Sequence, residues 1–195
     1  MVLFLICLYA KILSLHFRSG DDDITMSDTK KIWKVGHSQY EFYIPTWMGV
    51  DPANGDPLWK KDSGTTNNYS EADYDMQGRA TPWGFGALTN NLSWKGLNFS
   101  FMFYYNLGGK VYDSIYADIM HDGNDPGKNM HVDALRAWTP SNTNTDVPRY
   151  TNTNDNQSNS PSTRFLYDAT YLKLKNVNLS YTLPRSEERR VGTEC

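Results

Sequence analysis

The stretch Pro82–Leu107, PWGFGALTNNLSWKGLNFSFMFYYNL, constrains the fold more than any other part of the chain. From Leu97 onward the odd positions are Leu97, Phe99, Phe101, Phe103, Tyr105 and Leu107, and the even ones are Asn98, Ser100, Met102, Tyr104 and Asn106. This is a period of two, one face wholly apolar and the other mainly polar; on a helix the same residues would spread to every side. Eleven residues at roughly 3.3 Å each extend about 36 Å, or about 25 Å of vertical rise at a tilt near 45°, which matches the apolar band of a transmembrane barrel. The spacing predicts strands over about 83–94 and 97–107, joined by a tight turn at Lys95-Gly96.

The 195 residues are enough for one domain of ordinary size, but the composition is unusual for a soluble one. Only 39% of residues are hydrophobic, yet 14% are aromatic. Polar loops, alternating strands and aromatic girdles give a transmembrane barrel this balance, so a mean hydropathy of -0.62 argues against a helical membrane protein and not against a barrel. The net charge of -3 gives no support for nucleic acid as a partner. Cys7 and Cys195 stand near opposite ends and form no metal or disulfide framework.

The two ends differ in character from the middle. Residues 1–29 open with MVLFLICLYAKILSLHF, which is short for a membrane helix and lacks the basic start and cleavage site of a signal peptide; they are expected to be a leader outside the fold. Residues 185–195, RSEERRVGTEC, are charged and non-alternating, and are expected to be an artefactual tail. The stretch 30–184 is read as the structured part.

Within it, Lys30–Ile44 offers strand-like segments broken by Gly36, and Pro45–Asp62 is rich in turn formers. Ser63–Ala80 reads as polar loop. Gly108–Asp168 is a long excursion with a helix expected over Lys110–His121 and a further helical turn near His131–Trp138. A third strand is expected over Tyr171–Leu183, where Val177, Leu179, Tyr181 and Leu183 alternate with Asn178, Ser180 and Thr182, while Leu172 and Leu174 occupy the opposite phase. The change near Asn176 implies either a bulge or a strand leaving the lipid band; the second is the preferred reading.

No nucleophile–base pair, phosphate loop or convincing pair of acids appears, so neither an enzyme nor a cofactor is expected. Asp51, Asn54 and Asp56, and likewise Asp122, Asn124 and Asp125, read as turns rather than calcium loops, and His121 and His131 stand too far apart in sequence to suggest a metal site. Trp83, Trp94, Tyr104 and Tyr105 fall where interfacial girdles would lie.

The runs KVGHSQYEFYIPTWMGVDPANGDPLW, GRATPWGFGALTNNLSWKGLNFSFMFYYNLGGKVYD and YLKLKNVNLSYTLP, in that order, resemble the C-terminal barrel region of the SusC/RagA-like TonB-linked outer-membrane proteins of Bacteroidota. The resemblance covers about 30–184. It implies an all-β fold, a partial antiparallel transmembrane β-barrel arc with one long extracellular loop containing a short helix. It also implies a role in importing oligosaccharides or peptides across the outer membrane. The partners implied are a SusD-like surface lipoprotein as lid and the TonB complex, engaged through an N-terminal part absent from this sequence. In that setting Leu97, Phe99, Phe101, Phe103, Tyr105, Leu107, Val177, Leu179, Tyr181 and Leu183 are expected to face lipid. Asn98, Ser100, Asn106, Asn178 and Ser180 would face the lumen or plug, and Trp138, Tyr150 and Tyr167 belong to a possible substrate or lid loop. The alternative is a secreted carbohydrate-binding β-sandwich, which would need a second sheet of equal apolar area over the Leu97–Leu107 face.

Overall fold

The computed structural model describes residues 2–6 (backbone only), 23–26, 30–123, 125, 127–153 and 155–182. Its strands, in chain order, are β1 (Val2–Ile6), β2 (Ile24–Met26), β3 (Lys31–Trp33), β4 (Glu41–Pro45), β5 (Trp47–Val50), β6 (Pro57–Lys61), β7 (Gly64–Thr66), β8 (Tyr74–Arg79), β9 (Gly84–Trp94), β10 (Leu97–Leu107), β11 (Lys110–Tyr112), β12 (Leu166–Asp168) and β13 (Tyr171–Tyr181). One short helix, α1 (Ser114–Ile119), follows β11. The chain divides into two compact units, a sheet unit holding, of the described residues, 2–6, 84–107 and 170–182, and a loop unit holding 23–26 and those of 30–83 and 108–169.

The sheet unit is a single antiparallel sheet, ordered β1-β9-β10-β13 and not closed on itself. Strands β9, β10 and β13 are each eleven residues long, as the alternation requires. Lys95 and Gly96 both have positive φ, +46° and +86°, the backbone of a two-residue turn whose twist matches the flanking strands. Gly96 is needed for its conformation and for space: a Cβ there would lie 2.8 Å from the carbonyl oxygen of Thr182.

The phase break in β13 is a bulge, which corrects the preferred sequence reading. Ser100 pairs with Asn178 but Met102 pairs with Lys175, so Asn176 and Val177 together oppose Phe101. Asn176 takes φ +52°, a left-handed conformation that asparagine tolerates better than most residues. The extra residue turns Leu172 and Leu174 back onto the face of Leu179 and Tyr181, so the strand continues across the sheet with one apolar side. Among the described residues this unit holds no second sheet, so the β-sandwich alternative finds no covering layer there.

The loop unit is built from short pieces. Strands β2-β3-β4-β8 form one sheet, β5-β6-β7 a second, and β11-β12 a two-stranded ribbon. Two expectations are corrected here. Ser63–Ala80 is not loop: it supplies β7, a 3-10 turn at Tyr69–Glu71, and β8, whose Met76 and Asp75 pair with Tyr43 and Ile44. The helix expected over Lys110–His121 begins only at Ser114, because Lys110–Tyr112 pairs with Leu166–Asp168 and Asp113 caps the first turn by accepting a hydrogen bond from the Tyr116 amide at 2.8 Å. The helical turn near His131 is a 3-10 segment, Val132–Arg136.

A six-residue helix is too short to persist alone. It is held by a core of Ala117, Met120, Ala134, Ala137, Val147 and Phe165, with Tyr112 and Tyr116 packed against it. A second buried group, Ile32, Phe42, Ile44 and Trp59, belongs to β3, β4 and β6. The Asn/Thr/Ser-rich stretch 141–163 is closed by polar contacts: Asn142 donates to the Arg136 carbonyl, Asn156 to the Arg149 carbonyl, and Thr163 accepts from the Trp47 amide at 2.8 Å. Of the expected leader the structure describes Val2–Ile6, which pairs along β9, and Asp23 with Ile24–Met26, which pair with Lys34 and β3. Residues 185–195 and Leu183 lie outside the described residues.

Candidate functional site

The sheet unit presents two chemically different faces, and the register fixes which residue stands on which. On the apolar face Leu97 lies between Trp94 and Tyr181, Phe99 between Leu92 and Leu179, Phe103 between Leu88 and Leu174, and Tyr105 between Gly86 and Leu172. The rings of Phe99, Phe101 and Phe103 follow one another at 5.5 Å spacing. On the polar face the rows are Ser93–Asn98–Ser180, Asn91–Ser100–Asn178, Thr89–Met102–Lys175, Ala87–Tyr104–Lys173 and Phe85–Asn106–Tyr171. Ser93 donates to the Asn98 side-chain oxygen at 2.7 Å.

The ten residues expected to face lipid therefore share one face wherever they are described, and the five expected to face a lumen share the other. Among the described residues, no large apolar side chain of this sheet is buried: Trp94 is 69% exposed, Leu179 65% and Leu172 68%. Alternation alone missed Lys173, Lys175 and Tyr171, which the bulge at Asn176 brings onto the polar face. The ring of Tyr104, expected at a girdle, also stands on that face, with Lys175 Nζ 5.2 Å from its centroid.

The three loop aromatics do not converge. The ring of Trp138 lies against Gly55, where a Cβ would come within 2.6 Å of it, and its Nε1 donates to the Pro52 carbonyl. Tyr150 donates from its hydroxyl to the Ala134 carbonyl at 3.3 Å. Tyr167 is exposed on β12, and partial burial beside Asp113 pushes its hydroxyl's pKa up. The turn Asp51–Asp56 is closed by its own side chains, with Asp51 accepting from the Ala53 amide and Asn54 from the Asp56 amide, and Arg149 reaches Asp56 at 2.8 Å.

Buried polar groups in the loop unit hold segments together. Arg164 stacks over Trp47 and Phe165, at 5.0 and 5.2 Å from their centroids, and donates to the Ser158 carbonyl; burial pushes its pKa down. His121 accepts from the Gly123 amide, and Asp122 accepts from the Thr151 hydroxyl. Tyr112 and Tyr116 are each pushed up to about 12, by burial first and then by Asp113 and Asp133 respectively. No cluster of three or more His, Cys, Asp or Glu that could hold a metal occurs among the described residues.

No family model matches the chain. The chain is 30% identical over 125 residues to the TonB-dependent receptor P3 of Formosa agariphila, covering 64% of this chain and 12% of that protein. It is also 30% identical over 95 residues to the TonB-dependent receptor P26 of the same organism, covering 49% of this chain and 9% of the relative. It therefore spans about an eighth of the first of these relatives. A solved structure of the RagAB peptide transporter matches over 83% of this chain and 18% of its own, with a TM-score of 0.71 and 30% identity. A closed-closed state of the RagAB peptide importer matches over 89% and 19%, with a TM-score of 0.74 and again 30% identity. The long alternating strands, the open antiparallel sheet and these likenesses agree: the chain is a SusC/RagA-like, TonB-linked sequence of an outer-membrane β-barrel.

Proposed function

We propose that this chain forms part of the wall and outer loops of a TonB-dependent importer. The observation that carries the reading is the sheet of β9, β10 and β13, with one face apolar except for Asn90 and, among the described residues, no covering layer of its own. In water such a face would drive aggregation, whereas lipid satisfies it and the strand ladder satisfies the backbone. On this reading Leu97, Phe99, Phe101, Phe103, Tyr105, Leu107, Val177, Leu179, Tyr181 and Leu183 touch acyl chains. Asn98, Ser100, Asn106, Asn178 and Ser180 face the lumen or a plug.

Long connections belong on the outer side of such a barrel and tight turns on the inner rim, so residues 108–169 are read as an outer connection and Lys95-Gly96 as an inner turn. It shapes the substrate cavity or the contact with a SusD-like lid, and Tyr150 and Tyr167 are the loop aromatics that their exposure leaves available. The cargo is an oligosaccharide or a peptide, and 30% identity to the RagAB peptide transporter favours peptide. Energy comes from the inner-membrane proton gradient through TonB.

Uptake of labelled peptides by cells producing the protein that carries this sequence tests the reading. Accumulation that stops when an uncoupler collapses the proton gradient is expected. Accumulation that the uncoupler leaves unchanged, or that matches cells lacking the protein, contradicts it.

A further inference from the structure

The sheet unit is electrostatically one-sided. Residues 84–107 and 170–182 hold three cations, Lys95, Lys173 and Lys175, and not one Asp or Glu, within a chain whose net charge is -3. Lys95 sits in the turn with its ammonium 5.1 Å from the Trp94 ring centroid. The other two stand on the polar face. Lys173 is in register with Tyr104 and Lys175 with Met102, and both are exposed. Neither forms an ion pair among the described residues. Tyr104 and Tyr171 lie beside them, with ring centroids 6.1 Å apart.

Two lysines at alternate positions of a strand stand about 7 Å apart along one face. An extended peptide with carboxylates at alternate positions repeats at the same distance, so both charges of such a peptide can be met at once without bending it. Beyond β10, the positions in register on β9, Ala87 and Thr89, are small and leave the far side of this face open. We propose that Lys173 and Lys175, with Tyr104 and Tyr171 beside them, form an anion-reading patch on the wall of the transport path that favours acidic peptide cargo. This rests on the importer reading above and deepens it. The residues are legible only through the bulge: without the extra residue at Asn176, both lysines would fall on the face of Phe99 and Phe103.

The test is equilibrium binding to the intact protein in outer-membrane vesicles, with a labelled peptide of alternating Glu and its Gln counterpart as probes. Exchanging both lysines, Lys173→Gln with Lys175→Gln, should weaken the Glu peptide roughly tenfold or more and leave the Gln peptide unchanged. Lys173→Arg with Lys175→Arg should retain the preference, and Lys95→Gln, which removes a cation outside the patch, should have no effect. Unchanged Glu-peptide affinity in the glutamine variant, or an equal loss for both peptides, overturns the proposal. So does an oligogalacturonate that outcompetes the Glu peptide, which would assign the patch to acidic sugars. Should the variant fail to reach the membrane, a salt titration of the unaltered protein decides: affinity for the Glu peptide must fall with ionic strength while that for the Gln peptide does not. Binding is read apart from uptake, so preserved acidic preference without uncoupler-sensitive uptake would refute the importer and spare the patch. Uptake without acidic preference would do the reverse.

Discussion

The sheet unit and the loop unit solve the same problem in opposite ways. Every buried hydrophobic side chain among the described residues belongs to the loop unit, where Trp59 and Phe165 are both 0% exposed. The sheet unit has the longer strands and the larger run of aromatic residues, yet buries none of them. Its strands gain stability from an unbroken hydrogen-bond ladder and cross-strand pairs, and leave the apolar face to the surroundings. The loop unit has strands as short as three residues, too weak to stand alone, and depends on a conventional core plus polar side chains bonded to the main chain. Length and periodicity organise one unit, and contacts between distant segments organise the other.

Substitutions should therefore act through different solvents. Phe165→Ala opens the loop unit's core beneath α1 and should cost about 3–5 kcal/mol. Five of the six tryptophans lie in this unit, so their emission would report the loss. Phe101→Arg, in the middle of β10, should cost about 2–4 kcal/mol in a bilayer, read as reduced folding into lipid vesicles. If the sheet instead packed against protein, the arginine would show no dependence on the bilayer.

Gly55→Ala is a smaller disturbance. Gly55 has φ +79° and the Trp138 ring lies where a Cβ would go, so the change should cost about 1–3 kcal/mol and raise protease sensitivity near Trp138. Alkaline titration should weaken the loop unit. Tyr112 and Tyr116 ionise near 12 when folded and near 10 when unfolded, so the folded state holds their protons longer. Their stabilisation is complete below pH 10 and is lost as the pH rises through about 12, with Tyr116, the more exposed of the two, contributing less. Arg149→Ala removes only a partly exposed ion pair to Asp56 and should cost at most about 1 kcal/mol, measured as a small shift in the loop unit's unfolding midpoint.

The same contrast explains what the sequence revealed. Strands β9 and β10 could be read because alternation persists for eleven residues each and Lys95-Gly96 has the chemistry of a two-residue turn. The break at Asn176 was visible, but its meaning was not. Whether a phase change is a bulge or a strand end depends on which partner residue lies opposite, and a single strand does not contain that information. The loop unit was mostly opaque. Trp138 gives no sign that it packs on Gly55, and Ser162 and Asn156 give none that they are buried, because those facts arise only when remote segments meet. The two face sets of the candidate site followed from alternation, while Lys173 and Lys175 emerged only with the register.

Spin labels placed singly at 98 to 103 in the intact protein in bilayers, read with oxygen and a polar nickel chelate, address the central claim most directly. The account predicts that labels at Phe99, Phe101 and Phe103 collide with oxygen and exclude the chelate, while those at Asn98 and Ser100 do not share that lipid signature. Labels at the three phenylalanines shielded from both reagents would place their rings in a protein interior and contradict it.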